Sequence, residues 1–383
     1  MENNNNNERA TVYSDRRAAS AQRAKAKKQA ARKKRMQLFW CVVRRSLLVF
    51  FTVVLIAFGA LVLVLNAIFN GPSVNARNKL TMSMRESSGM KWCPGIFLGA
   101  DTVAEIEKES NYELPDELSD LSQVKIDLDS DVVGADDAWA DAKDGIRLES
   151  VQGDTFNAHV MLIRDPSRVY LATSVEKFST AVPGTRITEQ IETENAVAAI
   201  NAGAFWDNGT SSKMVGSVPQ DLVISGGKVM WESGSAPEEG FVGFNQDDIL
   251  VVAQTMTGDR AMELGIRDGC CFGPVLISNG EVALAENNVG GLNPRTAIGQ
   301  RSDGAILMLV IDGRQVSSIG ATYRDLVDIF LEYGAVNACN LDGGSSTMMW
   351  FGDGYVNNSA SVIGIRPVPT AFVVLKEGVT GNE

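Results

Sequence analysis

Hydrophobic positions along this chain fall into distinct textures. Leu47 to Leu65 is an unbroken run of 19 residues without a charge, in which only Thr52 and Gly59 depart from apolar side chains. As a helix it is about 29 Å long, enough to cross a bilayer. From Ile146 onward, short apolar runs alternate with turn residues: HVMLIRD, RVYLATS, AVAAINA, DLVISGGKVMW, FVGFN, DILVVAQ, GPVLISNGEVALA, AILMLVIDG and TAFVVLK. These read as strands, several joined by Gly-Gly, Asn-Gly or Asp-Asp turns. Two helical patterns interrupt them. One lies near Thr188 to Glu194; the other begins at Thr322, where Thr322 and Asp325 have capping-box spacing, Leu326, Ile329 and Phe330 form an apolar face, and Gly334 ends it. Many strands with few helices predict an α+β domain with a large mixed or antiparallel sheet, here preceded by one transmembrane helix and a stalk.

This pattern divides the chain into four parts. Residues 1–45 are basic and expected to be largely disordered, with five consecutive asparagines near the start. Residues 46–69 form the anchor, 70–145 the stalk and 146–379 the main domain. Within the stalk, Ser73 to Trp92 reads as helical, and Asp101 opens a second helix, TVAEIEKES, that it caps. Tyr112 to Asp144 is dense in acidic residues and poor in aromatic ones, the composition of a solvated connection holding a domain off a membrane.

Charge sharpens the division. The formal net charge of −12 combines 13 Lys and Arg against 3 Asp and Glu in residues 1–45 with 22 against 44 in the remaining 338. Arg44 and Arg45 stand at the N-terminal edge of the apolar run, behind the basic stretch Arg16 to Arg35, whereas only Arg77 and Lys79 follow closely after it. The positive-inside rule then places the N-terminus in the cytoplasm and the C-terminal bulk outside, as a single-pass protein of the cell membrane held through residues 46–69. A cleaved signal peptide with Val74-Asn75-Ala76 as its small-residue site is the competing reading; the long basic lead and full-length apolar run weigh against it. Anionic headgroups or simple orientation explain the basic stretch beside the membrane, and no nucleic-acid partner is expected. Cys93, Cys270, Cys271 and Cys339 are too few for a disulfide scaffold in so large a domain, although a bridge from Cys270 or Cys271 to Cys93 or Cys339 stays open. The chain shows no metal-ligand spacing, and no cofactor is expected.

Candidate chemistry concentrates at strand ends. In AVNACNLDGGSSTMMW (335–350) an apolar strand pattern breaks into Asp342, Gly343, Gly344 and the hydroxyls of Ser345, Ser346 and Thr347. Glycines let the backbone approach a ligand closely, and the hydroxyls add donors and acceptors beside the carboxylate. A plain Asp-Gly turn between two strands accounts for the same residues. The single histidine, His159, sits in a strand-like run, and GGSST lacks the closing glycine of a nucleophile elbow, so carboxylates and oxygen nucleophiles are the reactive groups available. Asp312, after AILMLVI, is the second candidate carboxylate. Arg295 in NPRTAIG, Arg314 in IDGRQ and Arg366 in GIRPVPT are isolated arginines in an acidic domain, each suited to forked recognition of a phosphate or to pairing with a structural Asp. AVAAIN (196–201) and AVNACN (335–340) share four of six residues and both end in asparagine. Either Asn201 and Asn340 occupy related places around one cleft, or the likeness is that of any two buried strands.

Four ordered motifs, INAGAFWDNG, NPRTAIGQRSDGAILMLVIDGRQ, YRDLVDIFLEYGAVNACNLDGGSSTMMW and RPVPTAFVV, resemble the phosphodiester glycosidase family over roughly residues 150–376. That family includes the lysosomal uncovering enzyme and many bacterial envelope proteins. Ala202 and Ala204 depart from the family's Asn-Gly-Gly-Phe-Phe form, and Ser345 stands where a third glycine is common; both changes bear on substrate choice more than on fold. The resemblance implies hydrolysis of the bond between an anomeric carbon and a phosphodiester oxygen in an envelope polysaccharide or glycan. It implies that Asp342 activates water or stabilises an oxocarbenium-like transition state, with Asp312 a second candidate. Arg295 with Thr296 beside it, and Arg314 or Arg366, then hold phosphate. Asn201, Gly203, Asn340, Gly343, Gly344, Ser345, Ser346 and Thr347 complete the implied substrate site. The partner is a sugar-phosphate glycan or polymer, and the N-terminal composition suggests a bacterial enzyme. In the alternative reading the same cleft serves a non-catalytic polysaccharide-binding or exopolysaccharide assembly module; a cation held by the carboxylates is a third, without an EF-hand pattern to support it.

Overall fold

The structure, a computed structural model, describes residues 3–87, 89–110, 119–126, 139, 142–206, 216–234, 240–284, 290–361 and 364–379. It divides into two compact units, Met1–Gly71 and Pro72–Glu383. The first is one helix, α1 (Asn3–Phe69), of which Lys25–Phe69 is long and apolar enough, by length and composition, to cross a membrane. Residues 3–15, whose composition reads as disordered, continue this helix. The Ala-, Lys- and Arg-rich sequence after them favours helix, and a helix once nucleated extends readily.

The second unit opens with three mutually packed helices, α2 (Val74–Arg85), α3 (Cys93–Leu98) and α4 (Ala100–Ser110). Ser73 Oγ caps α2 by accepting from the Ala76 N–H (3.2 Å), and Asp101 lies in the first turn of α4, where its charge complements the helix dipole. Residues 111–118 and 127–138, most of the expected acidic stalk, lie outside the described residues. Residues 119–126 run along the domain. Ser119 Oγ donates to the Val252 carbonyl (3.0 Å) and accepts from the Val252 N–H (2.9 Å), and the Lys125 N–H donates to the Ser302 carbonyl (2.9 Å).

The chain then lays down β1 (Ile146–Gln152), β2 (Asn157–Ile163) and β3 (Val169–Thr173), helix α5 (Ile187–Thr193), and β4 (Ala196–Asn201). Next come β5 (Leu222–Ser225), β6 (Lys228–Glu232), β7 (Phe241–Asn245), β8 (Leu250–Ala253), helix α6 (Gly258–Glu263), β9 (Ile266–Cys271), β10 (Val275–Ser278) and β11 (Glu281–Val282). The last part holds β12 (Arg295–Arg301), β13 (Ile306–Ile311), helix α7 (Tyr323–Glu332), β14 (Ala335–Leu341), β15 (Met349–Phe351), β16 (Gly354–Tyr355) and β17 (Thr370–Leu375). Among the described residues these strands form three antiparallel sheets, ordered β1-β2-β13-β12-β14-β10-β11, β16-β15-β4-β17-β3 and β6-β5-β9-β7-β8. The domain is α+β with large antiparallel sheets and few helices.

One core is shared by all three sheets, with Met161, Ile200, Val223, Phe244, Ile298, Met308, Cys339 and Phe372 in contact. The other face of the seven-stranded sheet is covered by α7, whose Leu326, Ile329 and Phe330 pack with Ala297, Leu307, Leu309 and Ala338. Thr322 starts α7 with the expected capping box. Strands β9 and β12 escape the apolar-run reading because they are wholly buried yet rich in polar residues. Their polar groups are paired inside. Arg267 bonds Asp248 (2.8 Å) and Asp268, while Gln300 accepts from the Leu250 N–H (2.7 Å) and donates to the Asp248 and Gly304 carbonyls (2.9 and 3.0 Å).

Register decides where the chemistry sits. Arg295 pairs across from Ile311, and Thr296 across from Leu341. The start of β12 therefore meets the ends of β13 and β14, bringing Arg295, Asp312 and Asp342 to one end of the same sheet.

Candidate active site

The turn after β14 is built on the chain that leads into β12. The Asp342 N–H donates to the Ala202 carbonyl (3.0 Å), and the Gly344 N–H donates to the Pro294 carbonyl (2.9 Å). A Cβ on Gly343 would lie 2.7 Å from the Pro294 oxygen, so a side chain there would push the turn off its support. Gly344 has φ +63°, in the left-handed region that glycine adopts without strain. Asp342 itself is half-buried, neither sealed nor fully exposed.

Asn201 ties β4 to this turn. Its Oδ1 accepts from Thr296 Oγ1 (2.8 Å) and the Met348 N–H (3.1 Å), and its Nδ2 donates to the Asp342 carbonyl (2.5 Å). Asn340 Nδ2 donates to the Gly273 carbonyl (2.7 Å), and the Gly203 N–H donates to Thr370 Oγ1 (3.2 Å). Asn201 and Asn340 thus sit at neighbouring strand ends, each spending its amide on loop backbone. Two buried polar atoms beside them, Asn340 Oδ1 and Thr347 Oγ1, have no hydrogen-bond partner among the described residues.

The three arginines differ in their commitments. Arg366, half-buried, donates through Nη1 to Ser345 Oγ (2.7 Å) and Ser346 Oγ (3.5 Å), with its guanidinium 5.2 Å from the centre of the Phe205 ring. Arg314 takes φ +57° at the end of the β13 extension, a costly conformation for a residue with a side chain, and donates through Nη2 to Asn293 Oδ1 (3.0 Å). Its guanidinium nitrogens lie 3.3 and 3.4 Å from the position of a Cβ on Gly344, directly beside the turn. Burial and the neighbouring Arg295 charge lower its pKa, with Glu86 offsetting part of the effect.

Arg295 is only 4% exposed. Its Nη2 bonds Glu86 Oε2 (2.7 Å) and the Gly291 carbonyl (2.6 Å), its Nε donates to the Ala321 carbonyl (3.2 Å), and the Tyr323 ring centre is 4.1 Å away. Burial alone pulls its pKa down; the Glu86 charge, aided by Tyr323, more than restores it, and the group is held above its ordinary value.

Asp312, the second expected carboxylate, is 4% exposed and turned into an anchor. It accepts from the Asn358 N–H (2.9 Å), Asn358 Nδ2 (3.3 Å) and Asn357 Nδ2 (3.4 Å), which fixes the 357–358 loop. The five cysteines are free thiols. The structure thus gathers Asp342, Gly343, Gly344, Ser345, Ser346, Arg314 and Arg366 around one turn, with Asn201 and Thr296 beneath it. Asp312 and Arg295 are beside this group but engaged elsewhere.

Sequence reading missed four participants: Glu86, Asn293, Tyr323 and Phe205. Asn293, Tyr323 and Phe205 sit inside motifs already singled out. Glu86 lies 209 residues before Arg295, in what reads as stalk, and carries no local signal.

Residues 194–375 match the family model described as phosphodiester glycosidase. The SPbeta prophage-derived uncharacterized protein YomE of Bacillus subtilis (strain 168) is 30% identical over 214 residues, covering 55% of this chain and 31% of that protein. The chain thus spans about a third of the length of the curated relative it matches. Among solved structures, the catalytic domain of zebrafish N-acetylglucosamine-1-phosphodiester alpha-N-acetylglucosaminidase, auto-inhibited by its pro-peptide, is similar at TM-score 0.49 and 19% identity, over 60% of this chain and 82% of that one. A hypothetical protein from Synechocystis is similar at TM-score 0.41 and 17% identity, over 61% and 62%. Residues 194–375, just under half of the chain, are thus similar to the phosphodiester glycosidase family.

Proposed function

We infer that this protein is a glycosidase that hydrolyses a sugar-1-phosphodiester bond of an envelope polysaccharide or glycan, anchored in the cell membrane by residues 46–69 with its C-terminal domain outside. The observation that carries this reading is the half-buried Asp342 on a turn flanked by Arg314 against Gly344 and by Arg366 on Ser345 and Ser346. A turn that carries one carboxylate and has two guanidinium groups against its following residues suits a reaction whose leaving group is an anion.

In the proposed reaction water attacks the anomeric carbon, the bond from that carbon to the phosphate oxygen breaks, and the water proton passes to Asp342. The departing phosphate monoester is a weak base, so it needs little protonation, and its growing charge is met by Arg314 and Arg366. The Ser345 and Ser346 hydroxyls orient sugar or phosphate oxygens. Asn201 and Thr296 hold the turn from below.

The test is release of free sugar from a synthetic sugar-1-phosphodiester by the full chain, with and without chelator. Release that persists in chelator and disappears in Asp342→Asn, at unchanged melting temperature, is the expected result. Binding of the substrate without turnover would replace the hydrolase with a polysaccharide-binding or assembly module, and loss on chelation would install a cation at the carboxylates.

A further inference from the structure

Shortly after the long apolar helix the chain turns one apolar edge to solvent. Met90, Trp92 and Ile96 are 45%, 67% and 67% exposed, and Lys91 among them is exposed as well. Cys93 and Pro94, at the start of α3, are buried, so this short helix packs through its first turn and leaves Trp92 and Ile96 outside.

The edge is held in place. Arg85 Nη1 donates to the Lys91 carbonyl (3.0 Å) and Arg85 Nε to Glu107 Oε1 (2.5 Å), which ties the turn before α3 to the end of α2 and to α4. Trp92 Nε1 donates to the Gly89 carbonyl (3.1 Å). The indole therefore leaves water without stranding its one donor, which removes the chief cost of moving it into an apolar medium.

A lone exposed apolar residue is ordinary, but tryptophan, methionine and isoleucine around a lysine is the composition of a membrane interface. Charge points the same way. Residues 71–98 carry Arg77, Lys79, Arg85 and Lys91 against Glu86 alone, whereas residues 46–383 as a whole carry 22 Lys and Arg against 44 Asp and Glu. Anionic headgroups attract this segment and repel the rest. Connectivity adds a third argument: residues 70–73 alone separate α1 from α2, a link of about 18 Å when fully extended, and α2 adds about 18 Å more. A helix that crosses a bilayer keeps the exposed edge within reach of that bilayer, at an effective concentration that lets a weak interfacial contact persist.

We propose that Met90, Lys91, Trp92 and Ile96 dock on the surface of the membrane that α1 crosses, seating α2, α3 and α4 at the headgroup level. This rests on α1 being the membrane anchor. The docked helices are also bonded to the site: Glu86, next to Arg85, accepts from Asn293 Nδ2 (2.8 Å), and Asn293 Oδ1 accepts from Arg314 Nη2 (3.0 Å). The contact thus governs how the Arg314 side of the site is presented to the membrane, and the first part of the expected stalk lies on lipid instead of standing off it.

The experiment places the full chain in vesicles of phosphatidylcholine and phosphatidylglycerol whose acyl chains are brominated near the headgroups, and reads tryptophan emission. Subtracting the spectrum of Trp92→Phe or of Trp40→Phe isolates the component of each residue; Trp40, just before the apolar run, reports the anchor. All three substituted positions, Ile96 included, are exposed, so melting temperatures should match wild type. Brominated lipid should remove most of both components, acrylamide little of the Trp92 component, and Ile96→Glu should restore Trp92 emission while Trp40 stays quenched. Quenched Trp40 with unquenched Trp92 overturns the docking and leaves the anchor standing. Quenching of neither overturns both. Trp92 shielded from acrylamide yet unquenched by lipid, with the shielding lost on dilution in lipid, gives the edge to a second copy of the chain and overturns the docking.

Discussion

Asn201→Ala tests whether one buried amide holds the turn after β14 in place. The Asn201 side chain is 1% exposed and makes three hydrogen bonds, to Thr296 Oγ1, the Met348 N–H and the Asp342 carbonyl. Truncation strands three groups, two of them buried and the Asp342 carbonyl partly so. The Thr296 hydroxyl can rotate toward another acceptor, which leaves the Met348 N–H and the Asp342 carbonyl to be counted. Each unsatisfied buried group costs about 1–3 kcal/mol, and a water entering the vacated space recovers part of it. The expected destabilisation is about 3–4 kcal/mol, a large share of the roughly 5–15 kcal/mol that holds a domain folded. Urea unfolding followed by tryptophan fluorescence measures it, with Thr296→Val as the companion change. The pair should couple by about 1 kcal/mol, since each mutation removes the other's partner. A loss under about 1 kcal/mol, or strict additivity with Thr296→Val, would refute the claim that this amide fixes the turn. Sugar release should fall with the turn's order even in the fraction that remains folded.

Three further outcomes follow from the geometry. Gly343→Ala should cost about 1–3 kcal/mol and at least tenfold in sugar release, because the new methyl meets the Pro294 carbonyl at 2.7 Å; native kinetics in that variant would contradict the packing described. Thr322→Ala removes the reciprocal cap of α7 and should lower stability by about 1–2 kcal/mol in urea titration while leaving KM unchanged. Burial raises the pKa of Cys270, with Cys271 and Cys339 reinforcing it, and burial likewise raises that of Cys339, so both thiols stay protonated in the folded state. Their protonated form stabilises the fold fully below the unfolded thiol pKa of about 8.5, and the contribution is lost as pH rises through that value toward the raised folded one. Stability should therefore decline above about pH 8.5, and iodoacetamide at pH 8 should spare both residues until urea is added; rapid labelling of either in the native protein would contradict their burial.

Local pattern specified much of this protein. The 19-residue apolar run can only be a helix when its backbone must satisfy itself, and the α7 cap is written in Thr322 and Asp325. Alternating apolar runs and turn residues predicted the strands of a large mixed or antiparallel sheet, which the structure resolves as antiparallel, and the DGGSST turn announced itself as a polar break after a buried strand. Strands β9 and β12 were not legible, because their buried Arg267, Asp268, Arg295 and Gln300 depend in part on partners on other elements, the Val169 carbonyl, the Gly226 N–H, Glu86 and the Leu250 N–H. For the same reason the roles of Asp312 and Arg295 were open in the sequence. Whether a carboxylate is a base or an anchor depends on Asn357 and Asn358, and whether an arginine awaits a phosphate or already holds a carboxylate depends on Glu86. Sequence fixes which groups exist and which elements carry them. The tertiary structure alone decides what each charged group faces, because desolvation and pairing act over a few ångströms of space, whatever the separation along the chain.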